Sequence, residues 1–439
     1  MEKRDRPILI AHARLVDPFA RRDCIADLFI QDGLLAAVPA VLPRNTRRID
    51  ARGLVVAPGF WDLHVHFRDP GNTAAETLTS GSRAAAAGGF THVVTMPNTT
   101  PACDRPEWIR RQLDPDLPVR ILPSACITAG RAGQTIANLE ALAEAGAVAF
   151  TDDGSMVANP AVMAEALRRA RKLGRVVMDH AVLPSLAGPG VIRACDAAQR
   201  YVLPVFPPEA EVEAVRQDIR LCGETGASLH IQHVSCAGSV AAIRAAQKEG
   251  VPVSGEASPH HLAIAAEDIV SNDGHFRMAP PLGTRKDLRA LREGILDGTL
   301  AAFATDHAPH PSARKSNGFL QSSSGVIGLE TAIGATYSIL VGVEGLSLSE
   351  WVARWTTGPA AILGIAPPTL AEGQPADLVL LDIRTPWRVN PVTFQSLSRN
   401  CPFAGWTLHG RAMLTISNGR VTWTSPAIAP FIDLSYSPS

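Results

Sequence analysis

A bias toward either charge is absent from this sequence: lysine and arginine together number 41, against 42 aspartates and glutamates. Without a basic stripe there is no electrostatic footprint for nucleic acid, and without an acidic block there is no acidic interaction tail. Paired cysteine motifs are absent too. Seven cysteines are scattered with no Cys-x-x-Cys, an odd number in a chain far too long to need covalent staples, so reduced thiols are expected. Long hydrophobic runs are also missing. The charged start Met1-Glu2-Lys3-Arg4-Asp5-Arg6 leads only to Ile8-Leu9-Ile10, too short for a signal segment or a membrane span. Nor is there an internal repeat, a low-complexity stretch or a long linker. These absences lead to the expectation of a soluble, cytoplasmic protein with no nucleic-acid or membrane partner. Its 439 residues suffice for one barrel-sized domain and a smaller companion.

What is present is organised around Pro58-Gly59-Phe60-Trp61-Asp62-Leu63-His64-Val65-His66-Phe67-Arg68. Leu63, Val65 and Phe67 alternate with His64, His66 and Arg68, a period of two that predicts a strand with both imidazoles on one face. Such a pair can bind a divalent metal, or simply sit on a solvated strand face. Before it, residues 7–57 read as short strands with turns at Asp32-Gly33 and Arg52-Gly53, predicting a small antiparallel sheet. After it, strand-like runs ending near Met96, Ser124, Thr151, His180, His233, Glu256 and Asp306 alternate with Ala-, Leu- and Arg-rich helical segments. With the first strand this makes eight, which predicts an α/β fold, a (β/α)8 barrel of the TIM type. The tail returns to strands, with Asn418-Gly419 a hairpin turn signal. Residues 1–57 and 366–439 are therefore expected to pair into one small β-sandwich domain beside a barrel spanning 58–365.

His64, His66, Asp153, His180, His233 and Asp306 each fall at or just after the C-terminal end of a predicted strand. A barrel gathers those ends at one mouth, where barrel enzymes place their chemistry. Any one of these residues alone reads equally well as a helix cap or a core histidine. Six in phase with five strand ends point to a metal centre.

These residues carry a resemblance. The stretch from Pro58 to Gly71, Met96-Pro97-Asn98-Thr99, Phe150-Thr151-Asp152-Asp153-Gly154, His230-Ile231-Gln232-His233-Val234-Ser235, Pro259-His260-His261-Leu262, Thr305-Asp306-His307-Ala308-Pro309-His310 and Gly328-Leu329-Glu330-Thr331 together resemble the metal-dependent cyclic amidohydrolases. Within that superfamily they look most like the dihydroorotases of the bacterial, Asp-bridged type. The resemblance implies a barrel enzyme in which His64, His66 and Asp306 bind one zinc and His180 and His233 a second. Relatives bridge the two ions with a carboxylated lysine. The segment 150–154 offers none, and the resemblance implies Asp153 as the bridge, with Asp152 the alternative. The donors suit zinc, one or two ions per subunit, and leave manganese and cobalt open.

The implied chemistry is the reversible hydrolysis of a cyclic amide, interconverting dihydroorotate and N-carbamoyl-aspartate in pyrimidine biosynthesis. Metal-bound water, its pKa lowered to about 7, is the nucleophile. Asp306, beside it, is the general acid/base. Arg68, Asn98 and His310 match the donors that bind the substrate carboxylate, and the loop at Ser324 and Gly325 matches the one that contacts the ring. In two places the pattern breaks: Ala279 stands where the family shows a ring-contacting Asn, with Gly283 in place of its Arg, and no acid follows His180. Those departures keep two further readings open, a hydantoinase- or allantoinase-like enzyme and a non-catalytic homologue that scaffolds aspartate transcarbamoylase. A homo-oligomer is expected. The segment 309–324, Ser-rich and Gly-containing, is expected over the mouth as a lid.

Overall fold

The computed structural model describes residues 6–432. Five strands open the chain: β1 (Ile8–Asp17), β2 (Arg22–Gln31), β3 (Leu34–Ala36), β4 (Arg47–Asp50) and β5 (Val55–Pro58). Eight more follow, separated by helices: β6 (Phe60–Val65), β7 (Phe90–Thr95), β8 (Arg120–Ala125), β9 (Ala149–Phe150), β10 (Val176–Asp179), β11 (Leu229–Ile231), β12 (Val253–Ala257) and β13 (Ala302–Phe303). The last are β14 (Leu378–Asp382), the short pair β15 (Trp387–Arg388) and β16 (Thr407–Leu408), then β17 (Arg411–Ser417) and β18 (Arg420–Thr424).

Strands β6 to β13 form one sheet in sequential order, every neighbour parallel, as in a TIM-type barrel. The seam between its first and last strands is closed by other means than a regular ladder. The Asp62 carboxylate accepts from Thr305 N at 2.9 Å and from Thr305 Oγ1 at 2.5 Å. Beyond the strand ends, His66 N donates to His307 O at 2.9 Å. The helix Leu348–Trp355 lies across the same seam: Trp351 packs edge-on against Phe60 (5.4 Å between ring centroids) and Trp355 against Phe303 (5.1 Å). Buried aromatic pairs of this kind each add about 1 kcal/mol beyond their area. That helix and the next, Thr357–Leu363, meet at Thr356 (φ −131°, ψ −81°).

The chain ends share a second eight-stranded sheet, ordered β18-β17-β14-β5-β1-β2-β3, with β4 also on β1. The expected antiparallel sheet is here a mixed one. β1 pairs antiparallel with β2 but parallel with β4 through Ile8–Ala11 and with β5 through Arg14 and Leu15. A bulge between Ile10 and Ala13, where His12 takes φ +60°, splits β1 so that its halves accept different neighbours. The segment 37–46 brings the chain back so that β4 runs the same way as β1, and residues 51–54 carry it onward along β1 into β5. A core of its own, including Ile10, Leu15, Ile30, Ile49, Leu378 and Ile416, draws on both ends of the chain. The Asn418-Gly419 turn forms as expected: Ser417 pairs with Arg420 and both turn residues have positive φ.

Candidate metal centre

Period two on β6 sends His64 and the following His66 to the barrel mouth, where both are buried. Two groups of donors meet there. His64, His66 and Asp153 offer atoms within 4.8 Å of one another, and so do Asp153, His180 and His233. Asp153 belongs to both. Its Oδ1 lies 3.2 Å from His64 Nε2, 3.7 Å from His180 Nδ1 and 3.8 Å from His233 Nε2, and its Oδ2 lies 3.6 Å from His66 Nε2. Asp306 Oδ1 is 3.1 Å from His66 Nε2 and 3.7 Å from His64 Nε2. All six expected ligands therefore converge. The arrangement suits a divalent cation: His64 Nε2 is buried without a hydrogen-bond partner, among carboxylate oxygens and imidazole nitrogens of the type that bind such ions.

The two adjacent acids separate by geometry. Asp152 Oδ1 accepts from Ile127 N (2.9 Å) and Thr128 N (3.1 Å), and its other oxygen accepts from Thr128 Oγ1. It ties down the loop after β8 and is turned away from the imidazoles. Arg131 Nη2 holds the turn from outside through Asp153 O at 2.5 Å and Asp152 O at 3.3 Å. Burial would raise the Asp153 carboxyl, but His64, His180 and His233 outweigh it and hold it well below the usual range. Asp306 is held low in the same way, with burial opposed chiefly by His66 and His64. Both His233 (φ +29°) and Asp306 (φ +46°) have left-handed backbones, as does Arg68 (φ +57°); such strain in non-glycine residues gathers at functional sites.

Glu256, at the end of β12, is a residue that sequence reasoning passed over. Its Oε1 receives His64 Nδ1 at 3.1 Å and His233 N at 3.3 Å, and its Oε2 receives His230 Nε2 at 3.0 Å. Accepting the Nδ1 proton leaves His64 Nε2 as the free lone pair, so a buried carboxylate fixes the tautomer a metal needs. Its place at a strand end, in phase with the other site acids, was the available signal.

The expected substrate donors lie at the same mouth but already have protein partners. Asn98 Oδ1 receives His66 Nδ1 at 2.9 Å, and its Nδ2 donates to Asp153 Oδ2 at 3.0 Å, leaving one N–H. Arg68 Nε donates to Pro309 O at 3.4 Å. His310, which burial and Arg68 push down to about 3 and so keep neutral, donates from Nε2 to Ser324 O at 2.7 Å. Gly325 (φ +123°) is packed so that a Cβ would come within 2.6 Å of Ala308 Cβ and 3.2 Å of His310 Nε2. Ala279 is exposed, next to buried Met278. Gly283 leaves no room for a side chain: a Cβ would sit 2.6 Å from Ser235 O and 2.7 Å from Asp287 Cβ. The segment 309–324 is not a loose flap. It carries the short helix Gly318–Gln321 and the buried Lys315.

Among the described residues, no helix is long and apolar enough to cross a membrane. The model of dihydro-orotase-like proteins matches residues 53–239. The chain is 42% identical to a dihydroorotase of Syntrophotalea carbinolica over 95% of its own length and 99% of the relative's. It is 41% identical to a dihydroorotase of Anaeromyxobacter dehalogenans over 94% and 97%. Among solved structures, the L-hydantoinase (dihydropyrimidinase) of Arthrobacter aurescens superposes with a TM-score of 0.84 at 26% identity, covering 94% of this chain and 95% of that one. With its barrel, its gathered His and Asp donors and these relatives, the chain belongs to the dihydroorotase family of the cyclic amidohydrolases.

Proposed function

We propose that the protein is a zinc-dependent dihydroorotase, interconverting dihydroorotate and N-carbamoyl-aspartate in pyrimidine biosynthesis. The observation that carries this is the single carboxylate, Asp153, shared by the His64/His66 and His180/His233 pairs, with Asp306 beside them and Arg68 and His310 at the same mouth. His64, His66 and Asp306 would hold one ion, His180 and His233 a second, and Asp153 both. A divalent ion in that position supplies a Lewis acid for the amide carbonyl and acidifies the water that attacks it. Asp306 takes the proton of that water on a carboxylate oxygen and passes it to the leaving ring nitrogen; in the ring-closing direction the proton moves the other way. Arg68, the remaining Asn98 N–H and, on giving up its bond to Ser324 O, His310 bind the substrate carboxylate, and Ala279, Ser324 and Gly325 border the ring. The barrel at 58–365 is then the catalytic domain, flanked by the sheet domain of 1–57 and 366–439. A cytoplasmic location, self-association and contact with an aspartate transcarbamoylase belong to the same proposal and draw their support from the family.

A second reading, hydrolysis of hydantoin or allantoin, is favoured by Ala279 and by the hydantoinase likeness. A non-catalytic scaffold for aspartate transcarbamoylase is the third; metal analysis of the purified protein separates it, since a scaffold would carry no stoichiometric ion. Assays on dihydroorotate, hydantoin and allantoin decide between the first two. Dihydroorotate is expected to be the best substrate, because rings lacking its carboxylate leave buried donors unpaired at about 1–3 kcal/mol each. Arg68→Lys should lower kcat/KM on dihydroorotate by about tenfold or more, since a point charge cannot replace the planar fork. A better rate on a carboxylate-free ring, or an unaffected Arg68→Lys enzyme, would transfer the assignment to the hydantoinase reading.

A further inference from the structure

Lys315 is 1% exposed, yet among the described residues its ammonium faces no carboxylate within bonding distance. Nζ donates instead to three main-chain carbonyls, Arg277 O at 3.1 Å, Ser323 O at 2.8 Å and Gly325 O at 2.8 Å. An ammonium has three donors and no acceptor, so this cage uses every one of them. Burying a charge against neutral carbonyls alone is expensive. What the charge does there is geometric. Two of its acceptors flank Ser324, and the third lies two residues before Ala279.

Other bonds extend the cage toward the reacting groups. Gly325 N donates to Arg277 O at 3.0 Å. The Arg277 guanidinium donates to Phe319 O and Leu320 O on the same loop. Asn400 Nδ2 joins Gly325 O and Ala308 O, each at 3.1 Å, and Ala308 is two residues from Asp306. His310, whose Nε2 binds Ser324 O, hangs on the same frame.

We propose that Lys315 is a positioning residue for substrate: by gripping the carbonyls of Arg277, Ser323 and Gly325 at once, it fixes the main chain of Ser324–Gly325 and Arg277–Ala279 as the ring-facing wall of the site. The role assigned to that wall rests on the dihydroorotase reading; the grip itself does not. Burial, reinforced by Arg277 and opposed by Asp273, lowers Lys315 to about 7. The third nearby group, His310, sits at about 3 and stays neutral across the range where Lys315 titrates. The grip is therefore complete below about pH 7 and loses its third donor above it.

The test uses the full-length, metal-loaded protein. In Lys315→Met, amide hydrogen exchange in residues 318–328 should quicken by about tenfold or more while the barrel strands stay protected. KM for dihydroorotate should rise about tenfold with kcat within about threefold, and Lys315→Arg should recover part of that loss. In the wild type, exchange in 318–328, corrected for intrinsic rate, should quicken between pH 6 and 8.5; this arm stands even if Lys315→Met does not fold. Unchanged exchange in Lys315→Met or across that pH range, or a fall in kcat at constant KM, overturns the proposal. A wild type that leaves dihydroorotate untouched while Lys315→Met still loosens 318–328 would reject the substrate assignment and retain the grip.

Discussion

On the metal-facing wall of the mouth, side chains hold side chains: Glu256 holds His64 and His230, and Asn98 holds His66 and Asp153. On the ring-facing wall, side chains hold main chain: Lys315 grips three carbonyls, His310 a fourth, and Asn400 a fifth, Ala308 O, while sharing Gly325 O with Lys315. The first wall stands on strand ends fixed by a parallel sheet, the second on loops after β12 and β13. The contrast separates two ways a site constrains its sequence. Where a side chain is the chemistry, the residue type is fixed. Where the backbone is the surface, the facing side chain can vary so long as the loop keeps its path. Ala279, which departs from the family pattern, lies on the second wall; of the other departures, Gly283 is packed against Ser235 O and the missing acid after His180 falls beside the first wall.

The largest effect should come from the metal-facing wall. Asp306→Asn keeps the size but cannot take the proton, so turnover should fall by about 10²-fold or more in protein shown to be metal-replete. Near-normal turnover would remove Asp306 from the acid/base role and leave the wall a metal cage only. Next, Glu256→Gln replaces an acceptor for two imidazoles with a group that must present N–H to one of them. Metal affinity, read by titration of the apoprotein, should weaken by about 10- to 100-fold, the usual penalty for losing a carboxylate behind a metal-binding histidine. Equal affinity would mean that the barrel alone orients His64.

How much of each wall could be read from sequence follows from the same contrast. The period of two around His64 and His66 and the phase of Asp153, His180, His233 and Asp306 with strand ends reveal a metal centre because alternation and strand ends are local signals. The choice between Asp152 and Asp153 is not local: it depends on Asp152 meeting the amides of Ile127 and Thr128, a chain distance of some two dozen residues. Lys315 reads as an ordinary surface lysine in a Ser-rich loop, since nothing nearby in sequence signals burial. Gly283 reads as a lost arginine, whereas the packing against Ser235 O shows a position that admits no side chain. The fold divides likewise. Eight strand–helix units declare a barrel, but the parallel pairing of β4 and β5 with β1 depends on where the 37–46 connection returns the chain.

The smallest effect should come from restoring the family's residue on the ring-facing wall. Ala279 is exposed and follows a segment already anchored at Arg277 O by both Lys315 and Gly325 N. An asparagine there would gain at most one amide contact to the ring, about 1 kcal/mol, and a water can supply much of the same bond in its absence. Ala279→Asn should therefore leave kcat unchanged and shift KM for dihydroorotate by no more than about threefold, with any change toward tighter binding. The comparison sharpens if the same substitution is made in Lys315→Met. With the wall loosened, a side-chain contact has to do what the fixed backbone did, and the gain from asparagine should grow. If Ala279→Asn instead improves KM by tenfold or more in the wild-type background, the ring-facing wall reads its substrate through side chains after all, and the distinction between the two walls fails.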